Sequence, residues 1–228
     1  MNTNTNITMV ATLVSDTSRA AMLTILMDGR FHPASELAYM AGVKPQTASF
    51  HLTKMVQADI VTVEKQGRHR YYGIRNSEVA QVMEQLLAIA PPMEIRSLKQ
   101  SSEDKAVRFA RTCYDHLAGN VGVQLTNSLL QMGVIYEEEK DFLVSEKGKD
   151  FFGDFQINIS QIKKKRRSFA TKCLDWSERR HHLAGSLGNA LLERLLELNW
   201  LERIPKTRAI QITSEGKKGL KETFSIDL

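Results

Sequence analysis

Only two cysteines, Cys113 and Cys173, occur in 228 residues. That excludes a disulfide framework and, in a reducing compartment, leaves two thiols open to metals or oxidants. Long apolar runs are missing too. None approaches the roughly 18 residues of a membrane span, and the opening MNTNTNITMV lacks the basic-then-apolar layout of a secretion signal, so a cytoplasmic protein with no membrane partner is expected. Charge of one sign is scarce: 31 Lys and Arg face 26 Asp and Glu, a net +5. Over residues 1–92 eight bases meet seven acids. A uniformly basic coat is excluded, and a polyanion must be met locally. Two basic clusters stand out. One is Lys65, Arg68, Arg70 and Arg75, opposed by Glu64. The other spans residues 163–180, where eight bases (KKKRR, Lys172, Arg179 and Arg180) meet Asp175 and Glu178.

With 42% hydrophobic and 25% charged residues, the chain can bury a core as one large or two modest domains. Apolar residues between Ser18 and Leu26 predict a helix stopped at Asp28-Gly29. Ser35 offers an N-cap for a short helix over ELAYMA, ended by Gly42. The next helix has Pro45 in its first turn and runs through Thr47, Phe50, Leu52 and Met55 to about Ala58. IVTVEK and RHRYYGI then read as a hairpin with Gly67 at its tip. Helix, turn, helix and basic hairpin in that order make a winged helix-turn-helix. Its second helix offers Lys44, Gln46, Thr47, Ser49 and His51 as readers of base edges in duplex DNA. Lys54 lies further along, and Arg68, His69 and Arg70 on the wing suit phosphates or the minor groove. The competing reading is a solvated interaction module.

SRAAMLTIL, AGVKPQTASFHL, the Ala58-Asp59-Ile60-Val61 turn and the QGRHRYY wing resemble the ArsR-type bacterial repressors over about residues 8–90. The resemblance implies a homodimer built through outer helices, here residues 8–27 and 77–90, on a roughly palindromic operator. Family members that sense metal in the first helix of the motif carry Cys-x-Cys where this chain has Ala38-Tyr39-Met40, and residues 76–90 hold no His or Cys.

Ala90-Pro91-Pro92 stops that helix. The organisation expected is a DNA-binding and dimerisation domain over 1–92, a polar linker over 93–105 and a regulatory domain over 106–228. The last domain repeats itself. HLAG occurs at 116–119 and 182–185, each after Cys-x-Asp (Cys113-Tyr114-Asp115 and Cys173-Leu174-Asp175). FLVSEKGKDFF is echoed by IQITSEGKKGL, so the repeats cover about 109–153 and 170–222. Leu117, Val121, Leu125 and Leu129, and their counterparts Leu183, Leu187, Leu191 and Leu195, draw a buried helical stripe, with the paired glycines admitting close backbone packing. The fold class expected is mainly α with small β wings: an N-terminal winged helix-turn-helix, then two repeated winged-helix-like units sharing one core. FARTCYDHLAG and CLDWSERRHHLAG also resemble the carboxy-terminal extension of a subset of ArsR-like regulators.

Cys113 and His116, read as i and i+3 on one helix face, and Cys173 with His182 are brought together by a pseudo-two-fold in one reading, as a site for zinc or another thiophilic metal. In a second, Cys113 and Cys173 join on oxidation, with Arg111 and Lys172 just before the thiols favouring thiolate. In a third, the cysteines are small buried hydrophobes and the histidines satisfy helix starts. Trp176, Trp200 and Tyr114 line an effector pocket or belong to the core, and KKKRRSFATK either binds DNA backbone or is solvated surface. An enzyme with a cysteine nucleophile lacks any supporting signature. The expected function is a sequence-specific transcriptional regulator, a homodimeric repressor released from its DNA operator by a metal, redox or small-molecule effector, or else an effector-independent architectural protein.

Overall fold

The computed structural model describes residues 7–91, 94 and 97–228. The chain divides into two compact units, Met1–Met83 and Glu84–Leu228.

The first unit opens with α1 (Ile7–Val14) and α2 (Thr17–Leu26). The single outer helix expected over 8–27 is therefore broken, and its two halves lie at 88°. The cause is local. Asp16 is extended and caps α2, its carboxylate accepting from the Arg19 amide at 2.9 Å. The Arg19 side chain closes the other side of the break by donating to the Leu13 and Thr12 carbonyls, each at 2.7 Å, which satisfies orphan acceptors at the end of α1.

β1 (His32–Pro33), α3 (Ala34–Met40) and α4 (Pro45–Gln57) follow. The N-cap of α3 is Pro33 rather than Ser35, because proline already holds the extended backbone a cap needs, at φ −68° and ψ 150°. The preceding His32 is buried and clamped between carboxylates, Asp28 Oδ2 at 2.9 Å and Glu36 Oε2 at 3.1 Å. β2 (Val61–Gln66) and β3 (His69–Ile74) form the wing, with Lys65 opposite Arg70 and Gln66 opposite His69. Gly67 has φ +60° at the first of two loop residues, the position that a two-residue hairpin of this hand reserves for glycine. β1 pairs with β3, giving the order β1-β3-β2. Met22, Leu23, Leu26, Leu37, Leu52 and Met55 are fully buried beneath it. α5 (Ser77–Ile89) comes next.

The second unit includes α6 (Leu98–Phe109), which occupies much of the expected 93–105 linker. The polar run SLKQSSEDK is helical because Ser97 caps it, accepting from the Gln100 amide at 3.1 Å, and Asp104 pairs with Arg108 one turn on at 2.7 Å. Residues 93, 95 and 96 of that stretch lie outside the described residues.

The first repeat is β4 (Arg111–Cys113), β5 (His116–Ala118), α7 (Gly119–Gln131), β6 (Ile135–Glu138), β7 (Asp141–Val144) and α8 (Glu146–Asp154). The short α9 (Ile159–Ile162) leads to the second: β8 (Lys172–Leu174), β9 (His181–Leu183), α10 (Gly185–Glu197), β10 (Leu201–Arg203), β11 (Ile210–Ile212) and α11 (Ser214–Phe224). Order and type recur element by element. His-Leu of HLAG is strand in both copies, not the start of a helix as its sequence suggests. Gly119 and Gly185 decide this, since each enters its helix at positive φ (77° and 78°), a conformation in which the chain turns from strand into helix and which costs any other residue strain. A Cβ there would also lie 2.7 Å from the Arg108 carbonyl oxygen or the Phe169 carbonyl oxygen.

The repeats interlock reciprocally. Arg111 of β4 bridges to Ala209 beside β11, while Thr171 beside β8 bridges to Asp141 of β7. Thr126 on α7 accepts from the Leu183 amide of β9 at 2.8 Å, and Asn189 on α10 donates to the Asp115 carbonyl beside β4 at 3.0 Å. The two leucine stripes, with Phe142, Phe152, Leu220 and Phe224, enter one hydrophobic core, so neither repeat owns a core of its own.

Candidate functional site: a nucleic-acid interface and a buried Cys–His cluster

On α4 the buried positions Ala48, His51, Leu52 and Met55 follow helical spacing, which turns Lys44, Gln46, Thr47, Ser49, Thr53 and Lys54 to solvent. Arg68, His69 and Arg70 are exposed on the wing, where strand register keeps them at the hairpin tip. Eight of the nine expected DNA-contacting residues are thus on the surface.

His51, expected among the base readers, is instead buried. It is only 8% exposed, and its Nδ1 lies 3.1 Å from an Arg19 guanidinium nitrogen. Arginine can only donate, so Nδ1 accepts and the proton sits on Nε2, which faces Asp16 at 3.7 Å. His51 joins α1, α2 and α4 rather than reading bases. Phe50 moves the opposite way: counted among the apolar periodic residues, it is 58% exposed, with the Lys54 ammonium 4.3 Å from its ring centre. The 48-52-55 spacing already places residue 50 on the opposite face, and that was its signal in the sequence.

The second unit assembles a different site. Cys113 and His116 are not i and i+3 on a helix; they are cross-strand partners in the β4–β5 hairpin, as Cys173 and His182 are in the β8–β9 hairpin. Paired residues project from one face. Reciprocal packing then brings the two pairs together, with the Cys113 and Cys173 sulfurs 3.8 Å apart and the His116 and His182 Nε2 atoms 3.1 Å apart. One ligand atom from each of the four residues lies within 4.8 Å of all the others.

Carboxylates stand behind both imidazoles. Asp115 Oδ1 is 3.4 Å from His116 Nδ1, and Asp175 Oδ2 is 3.6 Å from His182 Nδ1. Both aspartates are anchored. Arg167 forms an ion pair with Asp115. Asp175, fully buried, accepts from Arg111 at 2.8 Å, the Gly119 amide at 2.7 Å and the Ser177 hydroxyl at 2.7 Å. Burial opposes ionisation of Asp175, but the Arg111 guanidinium and these donors outweigh it and hold the carboxyl well below the usual range. Burial pushes the Cys113 thiol up, and Cys173 beside it adds to the effect. It pushes His182 down, reinforced by His116.

Of the aromatic residues read as pocket lining, the two tryptophans are packed against neighbours. Trp176 lies against two guanidinium groups, Arg111 at 4.5 Å and Arg108 at 4.9 Å, and Trp200 packs on Phe155 and against Gly219. Within the basic run, Arg167 is committed to Asp115 and Lys172 to Glu137 at 3.2 Å, whereas Lys164, Lys165 and Arg166 are exposed.

A helix-turn-helix followed by a basic wing, its second helix polar and open to solvent, defines the class of winged DNA-binding regulators. The family described as a helix-turn-helix domain matches residues 14–64. The chain is 54% identical over 225 residues to YdfF of Bacillus subtilis (strain 168), an uncharacterized HTH-type transcriptional regulator, covering 99% of this chain and 100% of that one. It belongs to the HTH-type transcriptional regulators. Among solved structures, it is similar to the homodimeric winged helix-turn-helix domain of Mb0332 from Mycobacterium bovis, a possible ArsR-family regulator (22% identity, 36% of this chain and 76% of that chain, TM-score 0.35). It is also similar to the cadmium sensor CMTR from Mycobacterium tuberculosis (22% identity, 40% and 93%, TM-score 0.33). Each covers well under half of the chain.

Proposed function

We propose that this protein is a cytoplasmic ArsR-type repressor that binds a two-fold related operator in duplex DNA as a homodimer and leaves it when the second unit, a pair of winged-helix-like repeats, receives a signal. The observation that carries the DNA reading is the shared exposure of Gln46, Thr47 and Ser49 on α4 and of Arg68 and Arg70 on the wing, readers and phosphate anchors in one motif. The dimer is supported by exposed apolar side chains on the outer helices: Ile7 and Val10 on α1, and Val82, Leu86 and Ile89 on α5. One short recognition helix gives little specificity alone, and two-fold pairing doubles its contacts.

Selection of purified protein on a random duplex library tests this reading. Enrichment of two inverted half-sites about one helical turn apart is expected; enrichment of single half-sites overturns the dimer, and no enrichment overturns sequence-specific binding.

A further inference from the structure

We propose that Cys113, His116, Cys173 and His182 form a closed tetrahedral centre for a thiophilic divalent cation of the zinc class, completed only when the two repeats pair. The spacing suits such an ion. Bonds of about 2.3 Å to sulfur and about 2.0–2.1 Å to nitrogen, at tetrahedral angles, separate two sulfurs by about 3.8 Å and two nitrogens by about 3.3 Å. The observed separations are 3.8 Å and 3.1 Å.

The imidazole orientation points the same way. His116 Nδ1 faces Asp115 at 3.4 Å, and His182 Nδ1, which makes no hydrogen bond, has Asp175 behind it at 3.6 Å. Both Nε2 atoms therefore turn inward, 3.1 Å from each other in a buried site. A cation between them would take both as ligands. The arrangement of carboxylate, imidazole and ligand position is the one that fixes tautomer and orientation around bound metals, and it occurs twice here, once per Cys-x-Asp and HLAG pair.

Charge closes as well. Two thiolates neutralise a divalent ion, while Asp115 and Asp175 are balanced by Arg167 and Arg111. The four ligands are 2%, 6%, 8% and 0% exposed in chain order, so no position is left for water or substrate. The centre is therefore of the structural, closed kind, a cross-link between repeats rather than a catalytic metal. It stands independently of the DNA-binding reading, since none of its ligands lies in the first unit.

The test uses full-length protein, chelator-stripped and kept reduced, titrated with cobalt(II) alone and then with zinc(II). Expected are one cobalt per chain, a tetrahedral visible spectrum with thiolate-to-cobalt charge transfer, and displacement by equimolar zinc. Cys113→Ser with Cys173→Ser removes the charge-transfer band. Asp115→Asn, which keeps all four ligands, retains the spectrum and weakens affinity about 10–100-fold. Arg68→Ala with Arg70→Ala loads metal like the parent even where DNA binding is lost. Failure of the reduced parent to retain cobalt, binding without thiolate charge transfer, or a band surviving in the double serine variant overturns the proposal. The parent titration decides by itself if the serine variant does not fold.

Discussion

Replacing Arg68 and Arg70 by alanine is expected to weaken operator binding and, more tellingly, to flatten its dependence on salt. Both side chains project into solvent from the wing tip, so their loss should leave the melting temperature of the first unit unchanged. Each phosphate neutralised by a protein cation adds about 0.9 to the slope of log affinity against log salt. In the proposed homodimer, two arginines on each of two wings make four such contacts, or about 3.6 in slope. Between about 50 and 200 mM salt the parent should then lose about 150-fold more affinity than the variant. Fluorescence anisotropy on the selected operator at four or five salt concentrations measures both slopes, with melting curves as the control. A slope change near half that size would mean that one wing engages. Identical slopes would show that the wing does not touch phosphate and would refute the assignment of Arg68 and Arg70.

Gln46→Ala is expected to lower operator affinity by about 1–3 kcal/mol while leaving binding to unrelated duplex unchanged; equal loss on both in a competition assay would contradict base reading. His51→Ala should destabilise the first unit by about 1–3 kcal/mol, because the buried Arg19 guanidinium loses an acceptor. The salt slope of DNA binding should not move with it, and a stable variant with an altered slope would restore His51 to the interface. For His32, burial lowers the pKa, but Asp28 and Glu36 outweigh it and raise the value above 6.5. Its contribution to stability is thus complete below about 6.5 and lost as pH rises through the higher folded value. Asp28, its partner, is shifted down from 3.8: burial opposes this, but His32 outweighs it. The contribution of Asp28 is therefore present above 3.8 and lost as pH falls through the folded value. Melting curves of the parent and His32→Gln should converge on the alkaline side, and parallel curves from pH 6 to 9 would count against the clamp.

The winged helix-turn-helix was legible because its signals are local. Pro45 at a helix start, glycine at a hairpin tip and the period of Ala48, Leu52 and Met55 act within a few residues. Residue type misled where side-chain chemistry ran across elements. His51 carries a DNA-like donor set, yet Arg19, 32 residues away, claims it, and Phe50 is apolar yet faces out, as the 48-52-55 period itself requires. The helix expected over 8–27 broke because Asp16 and Arg19 together cap both sides of the bend, a pairing invisible to hydropathy.

Sequence alone determined that the second half is duplicated and that Cys113, His116, Cys173 and His182 occupy equivalent places in the two copies, because repetition needs no coordinates. Only the tertiary structure decided how they meet. Positive φ at Gly119 and Gly185 turns each His-Leu strand into its helix, so cysteine and histidine face each other across a hairpin instead of along a helix. The shared core then presses the two hairpins together. The spacing of four ligand atoms within 4.8 Å comes from packing between segments some 60 residues apart, which no local pattern encodes.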